Sequence, residues 1–219
     1  MENTDRQTNN RMVLLLIAGV PLIMILSATW LWYFVVRGDL DLVGTLGTAN
    51  RGALVQPPRQ IDEAVLIEAD GRPFVYAELE PRWTMLIPGP GGRCDASCEA
   101  TLYETRQIHT AMGKEYNRLR RLYVSEAAPD DTLLTVQELS DKHPVPASFS
   151  AYLTNEHRGL QALVLGPGQI DELFAEYRAE PGTWYLVDPA GWIMMSYDET
   201  VSYKDVIADL KFLLKNSGA

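Results

Sequence analysis

Residues 82–100 read RWTMLIPGPGGRCDASCEA. Arg82–Ile87 is a short apolar run of strand length. It stops at Pro88-Gly89-Pro90-Gly91-Gly92, five helix- and strand-breaking residues that read as a loop. Cys94-Asp95-Ala96-Ser97-Cys98 follows, and then a helical stretch from about Glu99 to Arg118. A strand therefore delivers the chain to a cysteine pair at the head of a helix. If the first turn starts near Asp95, the i, i+4 spacing sets both sulfurs along one side. The free N–H groups and positive dipole end of a helix favour thiolate over thiol. Thiolate is both the nucleophile of disulfide exchange and a ligand for soft Cu(I). Asp95 and Glu99 oppose that negative charge, and Arg93 favours it.

Working outward, the chain has 219 residues, 29 Asp and Glu against 19 Lys and Arg, a net charge of −10 and two cysteines. That length is one ordinary domain with an extension. At 47% hydrophobic residues it can bury a sizeable core. The acidic balance argues against nucleic-acid binding, which needs a basic face to displace counterions from phosphates. Two cysteines make one disulfide, one redox pair or one metal clip. A purely structural bridge gains its effect from the loop it closes, and three intervening residues close little.

Met12 to Val36 runs 25 residues without a charge, about 37 Å as a helix. That exceeds the ~30 Å hydrocarbon core, so residues 12–36 are expected to span a lipid bilayer with some tilt. Trp30, Trp32 and Tyr33 cluster at the far end, where amphipathic rings favour the lipid–water interface. A cleaved signal peptide would have a shorter apolar run and small residues after it; here Trp and Tyr stand where cleavage would fall. Glu2 and Asp5 argue against a mitochondrial presequence, which leaves a bacterial inner-membrane protein. Arg6 and Arg11 before the span balance Arg37 and Arg51 after it, so the positive-inside rule is indecisive. The orientation rests on the cysteine chemistry: residues 1–11 are expected to be a short cytoplasmic tail, and the C-terminal domain periplasmic.

Residues 37–60, with Gly44, Gly47, Gly52, Pro57 and Pro58, read as a linker. From 61 the pattern is regular. Ala64–Ala69 and Pro73–Leu79 flank the turn dipeptide Asp70-Gly71 and read as a β-hairpin. Strands are expected at 82–87, 121–125, 160–165, 183–187 and 192–197. Helices are expected at 99–118, 133–141, 168–178 and 203–215, the last with Val206, Ile207, Leu210, Leu213 and Leu214 on one face. This order implies a mixed sheet with helices on both faces.

The residues resemble the Sco/SenC proteins, membrane-anchored thioredoxin-fold domains tied to copper delivery during cytochrome c oxidase assembly. Trp83-Thr84-Met85-Leu86-Ile87, the Gly/Pro loop and Cys94-Asp95-Ala96-Ser97-Cys98 match that family's entry into its CxxxC motif. Leu163–Gly166 with Ile170–Arg178 matches its next strand and helix, and Tyr185-Leu186-Val187-Asp188-Pro189-Ala190-Gly191 its YLxxPxG hairpin. The resemblance implies an α/β fold: a thioredoxin-like mixed sheet flanked by helices over 61–219, with an N-terminal β-hairpin and one transmembrane helix. It implies haem–copper oxidase subunits as partners and Cys94 and Cys98 as a redox pair or as Cu(I) ligands.

One departure qualifies this. Copper-binding members place a histidine just before the YLxxP strand, and Tyr177–Trp184 contains none. His109 lies 11 residues past Cys98, about 16 Å along a helix and too far to share an ion. His143 and His157 read as solvated residues, and Met194 and Met195 as strand residues of which one packs in the core. Two thiolates suit Cu(I), whereas Cu(II) prefers nitrogen donors. Pro181 occupies roughly the place where thioredoxin-fold oxidoreductases carry a cis-proline facing their cysteines, and either isomer is open to it. Three readings stand: a Cu(I)-handling assembly factor; a thiol–disulfide oxidoreductase in which Cys94 attacks and Cys98 resolves; and an accessory or structural oxidase subunit without redox or metal chemistry.

Overall fold

The computed structural model describes residues 2–36 and 50–217. The chain divides into two units at Ala49/Asn50. In the first, α1 (Glu2–Val36) is one continuous helix that contains Pro21. Its Leu15–Phe34 stretch is long and apolar enough to cross a membrane, by length and composition. The expected span of 12–36 lies inside α1.

The second unit is built on an eight-stranded sheet. Its strands are β1 (Ala53–Gln60), β2 (Leu66–Glu68), β3 (Pro73–Phe74), β4 (Trp83–Pro88), β6 (Leu119–Ser125), β8 (Leu160–Leu165), β9 (Trp184–Val187) and β10 (Trp192–Tyr197). They lie in the order β1-β10-β9-β4-β6-β8-β2-β3. The β4–β6 and β6–β8 pairs are parallel, and the remaining pairs are antiparallel. A separate two-stranded sheet joins β5 (Arg93–Cys94) in parallel to β7 (Leu133–Leu134). The helices are α2 (Ala96–Ala111), α3 (Phe149–Glu156), the short α4 (Gln169–Leu173) and α5 (Ala175–Ala179), and α6 (Tyr203–Asn216).

Side-chain alternation along the strands divides the core in two. Met85 and Ile87 of β4 join a cluster with Cys94, Cys98, Leu102 and Ile108, with Phe149 and Tyr152 of α3, and with Val206, Leu210 and Leu214 of α6. Leu86 joins the other cluster, with Ile61, Leu66, Leu122, Val124, Phe174, Tyr185 and Val187. The central strands β4 and β6 are buried on both faces, which is why β4 reads as a nearly continuous apolar run.

Several expectations are corrected. The stretch expected as linker over 37–60 is not all linker: 37–49 lies outside the described residues, but 53–60 forms β1, paired with β10. The two prolines lack N–H donors, and an edge strand with a register shift between Leu54 and Arg59 tolerates them. Buried Asp209 of α6 ties down the entry by accepting from Arg51 N (2.8 Å), Gly52 N (3.1 Å) and Tyr197 Oη (3.3 Å). The helix expected over 133–141 is instead β7 followed by irregular chain, because Leu133 N and Thr135 N bond the carbonyls of Gly92 and Cys94 (both 2.9 Å). α3, capped by Ser148 Oγ on Ala151 N (3.1 Å), was not expected. The 168–178 helix breaks at Phe174, whose ring packs on Tyr185 at 5.1 Å between centroids.

Candidate functional site: the cysteine corner

Cys94 and Cys98 meet where β4, the Gly/Pro loop and α2 come together, and their sulfurs are bonded, with Cα atoms 5.3 Å apart. The loop is shaped by close approach as well as by turns. Gly89 N donates to Val124 O (2.8 Å), and a Cβ on Gly89 would fall inside the Tyr123 ring and hydroxyl. Cys94 is then held by β7: its carbonyl accepts from Thr135 N (2.9 Å) and Thr135 Oγ1 (3.2 Å). Asp95 caps α2 with its carboxylate on Cys98 N (3.3 Å). That bond uses an N–H of the first turn and places a negative charge beside the pair.

The two sulfurs are not equivalent. Cys94 is completely buried, whereas Cys98 is 9% exposed and lies on the wall of a shallow cleft with Pro88, Asp95, Thr101, Tyr177 and Pro181. Cys94 is not among the residues that line this cleft. Burial, reinforced by the charge of Asp95, pushes the Tyr177 phenol up to about 12, so it stays protonated at neutral pH. Burial and nearby Glu199 also raise the Glu104 carboxyl. The surroundings of the cysteines are acidic, with exposed Arg93 as the nearby cation in sequence.

Pro181 does face this corner, yet its peptide bond is trans: among the described residues Gln56–Pro57 is the one cis bond. The reason is the turn that holds it. Thr183 N bonds Glu180 O (3.1 Å) with Gly182 at φ +106°, a type II pattern with proline in its second position. The carbonyls of Pro181 and Gly182 accept from Ser97 Oγ and Thr101 Oγ1 of α2 (each 3.4 Å).

The structure puts the histidines elsewhere. His109 is buried and stacked on Tyr116, with ring centroids 3.9 Å apart. His157 corrects its solvated reading: it is 1% exposed, edge-on to Tyr152 and 3.4 Å from Arg121 Nη1 through Nδ1. Burial, then the Arg121 charge, pushes it down to about 3. His143 is exposed as expected, and it joins Asp141 and Glu156 in a group whose ligand atoms lie within 4.8 Å of one another. Arg106 already pairs with both carboxylates, at 2.6 Å to Asp141 and 3.2 Å to Glu156. Met195 is buried and Met194 packs against the same core. The donor set at the corner is thus two sulfurs, which when reduced suits Cu(I) and lacks the nitrogen that Cu(II) prefers.

Sequence reasoning took Glu99 as a negative neighbour of the cysteines and missed its burial. It is 3% exposed on the turn after Cys98 and accepts from Ser140 N (3.0 Å), Ser140 Oγ (2.6 Å) and Tyr152 Oη (3.2 Å). An acid next to a cysteine was visible in the sequence, but its burial depends on Ser140 and Tyr152, which only the fold brings there.

A family model described as transmembrane-like, thioredoxin-like, C-terminal domain matches residues 83–217. No curated protein matches the chain. Among solved structures, yeast Sco1 is 16% identical with a TM-score of 0.52, covering 78% of this chain and 99% of its own. Copper-bound yeast Sco1 is 15% identical with a TM-score of 0.50, covering 78% and 96%. Apo Sco1 from Thermus thermophilus is 19% identical with a TM-score of 0.51, covering 76% and 99%. At these identities the likeness is one of fold, and it agrees with the Sco/SenC resemblance.

Proposed function

Because this chain belongs to the transmembrane-like, thioredoxin-like C-terminal-domain family, we propose that it is a membrane-anchored, Sco/SenC-like factor that performs thiol–disulfide exchange at Cys94 and Cys98. Its setting is the periplasmic face of a bacterial inner membrane, and its role the maturation of a haem–copper oxidase, whose copper-site cysteines must be reduced before metal enters. The observation that carries the chemistry is a closed Cys94–Cys98 bridge with one member on the wall of a small cleft. A bridge across three residues adds little stability, so its presence at such a place favours reactivity over scaffolding. The apolar α1 supports the anchor. The oxidase as partner rests on the resemblance.

A second reading is supported by the fold relative whose structure holds copper: the reduced pair carries Cu(I) as cargo, as a two-thiolate site.

The test uses the full chain in detergent equilibrated with glutathione redox buffers. A pair that titrates between dithiol and disulfide supports exchange. A potential below about −300 mV, the range of structural disulfides, overturns it. One Cu(I) retained per reduced chain against a chelator supports the second reading, and none removes it. A strain lacking the protein should lose oxidase activity, and a Cys94→Ser, Cys98→Ser chain should fail to restore it. Restoration by that double variant would leave an accessory subunit.

A further inference from the structure

The fold assigns the two cysteines different jobs, and in the opposite order to the one their sequence positions suggest. We infer that Cys98 is the sulfur that bonds to the partner, and that Cys94 is the inner sulfur that leaves and returns. This rests on the exchange reading above. Two observations carry it. Cys94 has no exposed surface, is itself paired with Leu134 in the β5–β7 ladder and is pinned through its carbonyl by Thr135. Cys98 keeps exposure and is the one cysteine among the residues lining the cleft. Attack on a disulfide needs access to the sulfur attacked, and of the two cysteines only Cys98 lines the cleft.

The step is as follows. A partner thiolate entering the cleft attacks Cys98 Sγ; the new S–S bond joins partner to Cys98 as the Cys94–Cys98 bond breaks. Cys94 leaves with the bonding electron pair and takes up a proton from solvent, replacing the one the partner thiol gave up. A second thiol of the partner then attacks its own sulfur in the mixed disulfide and releases Cys98 as a thiolate. The partner dithiol is oxidised by two electrons and the Cys94–Cys98 pair is reduced by two. In the reverse direction Cys98 thiolate attacks the partner's disulfide, and Cys94 resolves the intermediate by attacking Cys98 Sγ.

Pro88, Tyr177 and Pro181 line the cleft around Cys98 and would meet the partner segment that carries the reacting cysteine.

Two measurements decide the assignment. In the full chain, Cys94→Ser leaves Cys98 as the lone thiol and Cys98→Ser leaves Cys94. Native Cys94→Ser should react with the aromatic disulfide DTNB at least ten-fold faster than native Cys98→Ser, and the two should match in guanidinium. Equal native rates, or a faster Cys98→Ser, overturn the inference. Independently, wild-type disulfide treated with glutathione, alkylated and mapped by mass spectrometry should carry glutathione on Cys98; glutathione on Cys94 overturns the inference while leaving exchange intact. A wild-type bridge that resists glutathione and dithiothreitol defeats the exchange reading instead, and the DTNB ratio still decides which thiol the fold exposes.

Discussion

Two places in this domain gather ligand-type side chains, and they end differently. At the cysteine corner, Cys94 and Cys98 are positioned by backbone: a ladder bond to β7, a capped first turn, a glycine pressed on Tyr123. Their sulfurs are satisfied by each other in the Cys94–Cys98 bond. At the Asp141–His143–Glu156 group, the ligand atoms lie within 4.8 Å of one another, yet Arg106 holds both carboxylates. Its guanidinium also donates to the Glu156 carbonyl at the end of α3 (2.6 Å). The difference shows that proximity of donors does not make a site. What already satisfies them decides whether anything else can bind.

The comparison can be broken most sharply by exchanging losses. Cys98→Ser should reduce disulfide exchange with glutathione to background, while His143→Ala leaves it unchanged; a fall in the histidine variant would mean the two places communicate. Next, Arg106→Met should cost about 3 kcal/mol in urea unfolding, since two partly buried carboxylates lose their partner. The same variant should gain zinc-dependent thermal stabilisation that the wild type lacks. Stabilisation of the wild type by zinc would show that Arg106 does not close the group.

A pH effect of intermediate size sharpens the contrast. His157 follows Glu156 directly and titrates near 3 when folded, against about 6.5 in an unfolded chain. Between these values the unfolded state binds the proton first, so stability is full above pH 6.5 and falls as pH drops towards 3. From pH 6.5 to 5 the loss should be about 2 kcal/mol at ~1.4 kcal/mol per unit. His157→Gln should flatten that part of the urea-midpoint profile, and an unchanged slope would place the proton elsewhere. The smallest effect belongs to the cap: Asp95→Ala should cost about 1 kcal/mol, and Asp95→Asn close to nothing, because asparagine caps as well. If Asp95→Asn is as destabilising as the alanine, the carboxylate's charge holds the corner together and not its hydrogen bond.

Much of this was legible in the chain, for reasons that differ by element. β4 and α6 announced themselves because a strand buried on both faces is continuously apolar and a helix over a sheet repeats with period 3.6. The corner was legible because strand, Gly/Pro loop and CxxxC are contiguous in sequence. β1 was not, since Pro57 and Pro58 signal a linker unless the position is an edge, and edge position depends on β10 more than 130 residues away. Leu133, Leu134, Val136 and Leu139 have helical spacing, but the chain there is drawn out by bonds to Gly92 and Cys94. His157 looked solvated because the residues beside it are polar; the fold sets Arg121 of β6 and the Tyr152 ring against it.

By itself, the sequence determined a candidate membrane helix, an acidic α/β domain and a cysteine pair at a strand-to-helix junction, because each is written in local order and periodicity. Tertiary structure alone decided that Pro181 is trans within a type II turn, and that Cys94 is buried while Cys98 lines a cleft. Those facts depend on which distant segments lie against the cysteines: β7 pairs with Cys94, and Tyr177, Pro181 and Gly182 line the cleft with Cys98. Four residues of spacing place two sulfurs on one side of a helix, but only the packing around them decides which one a partner can touch.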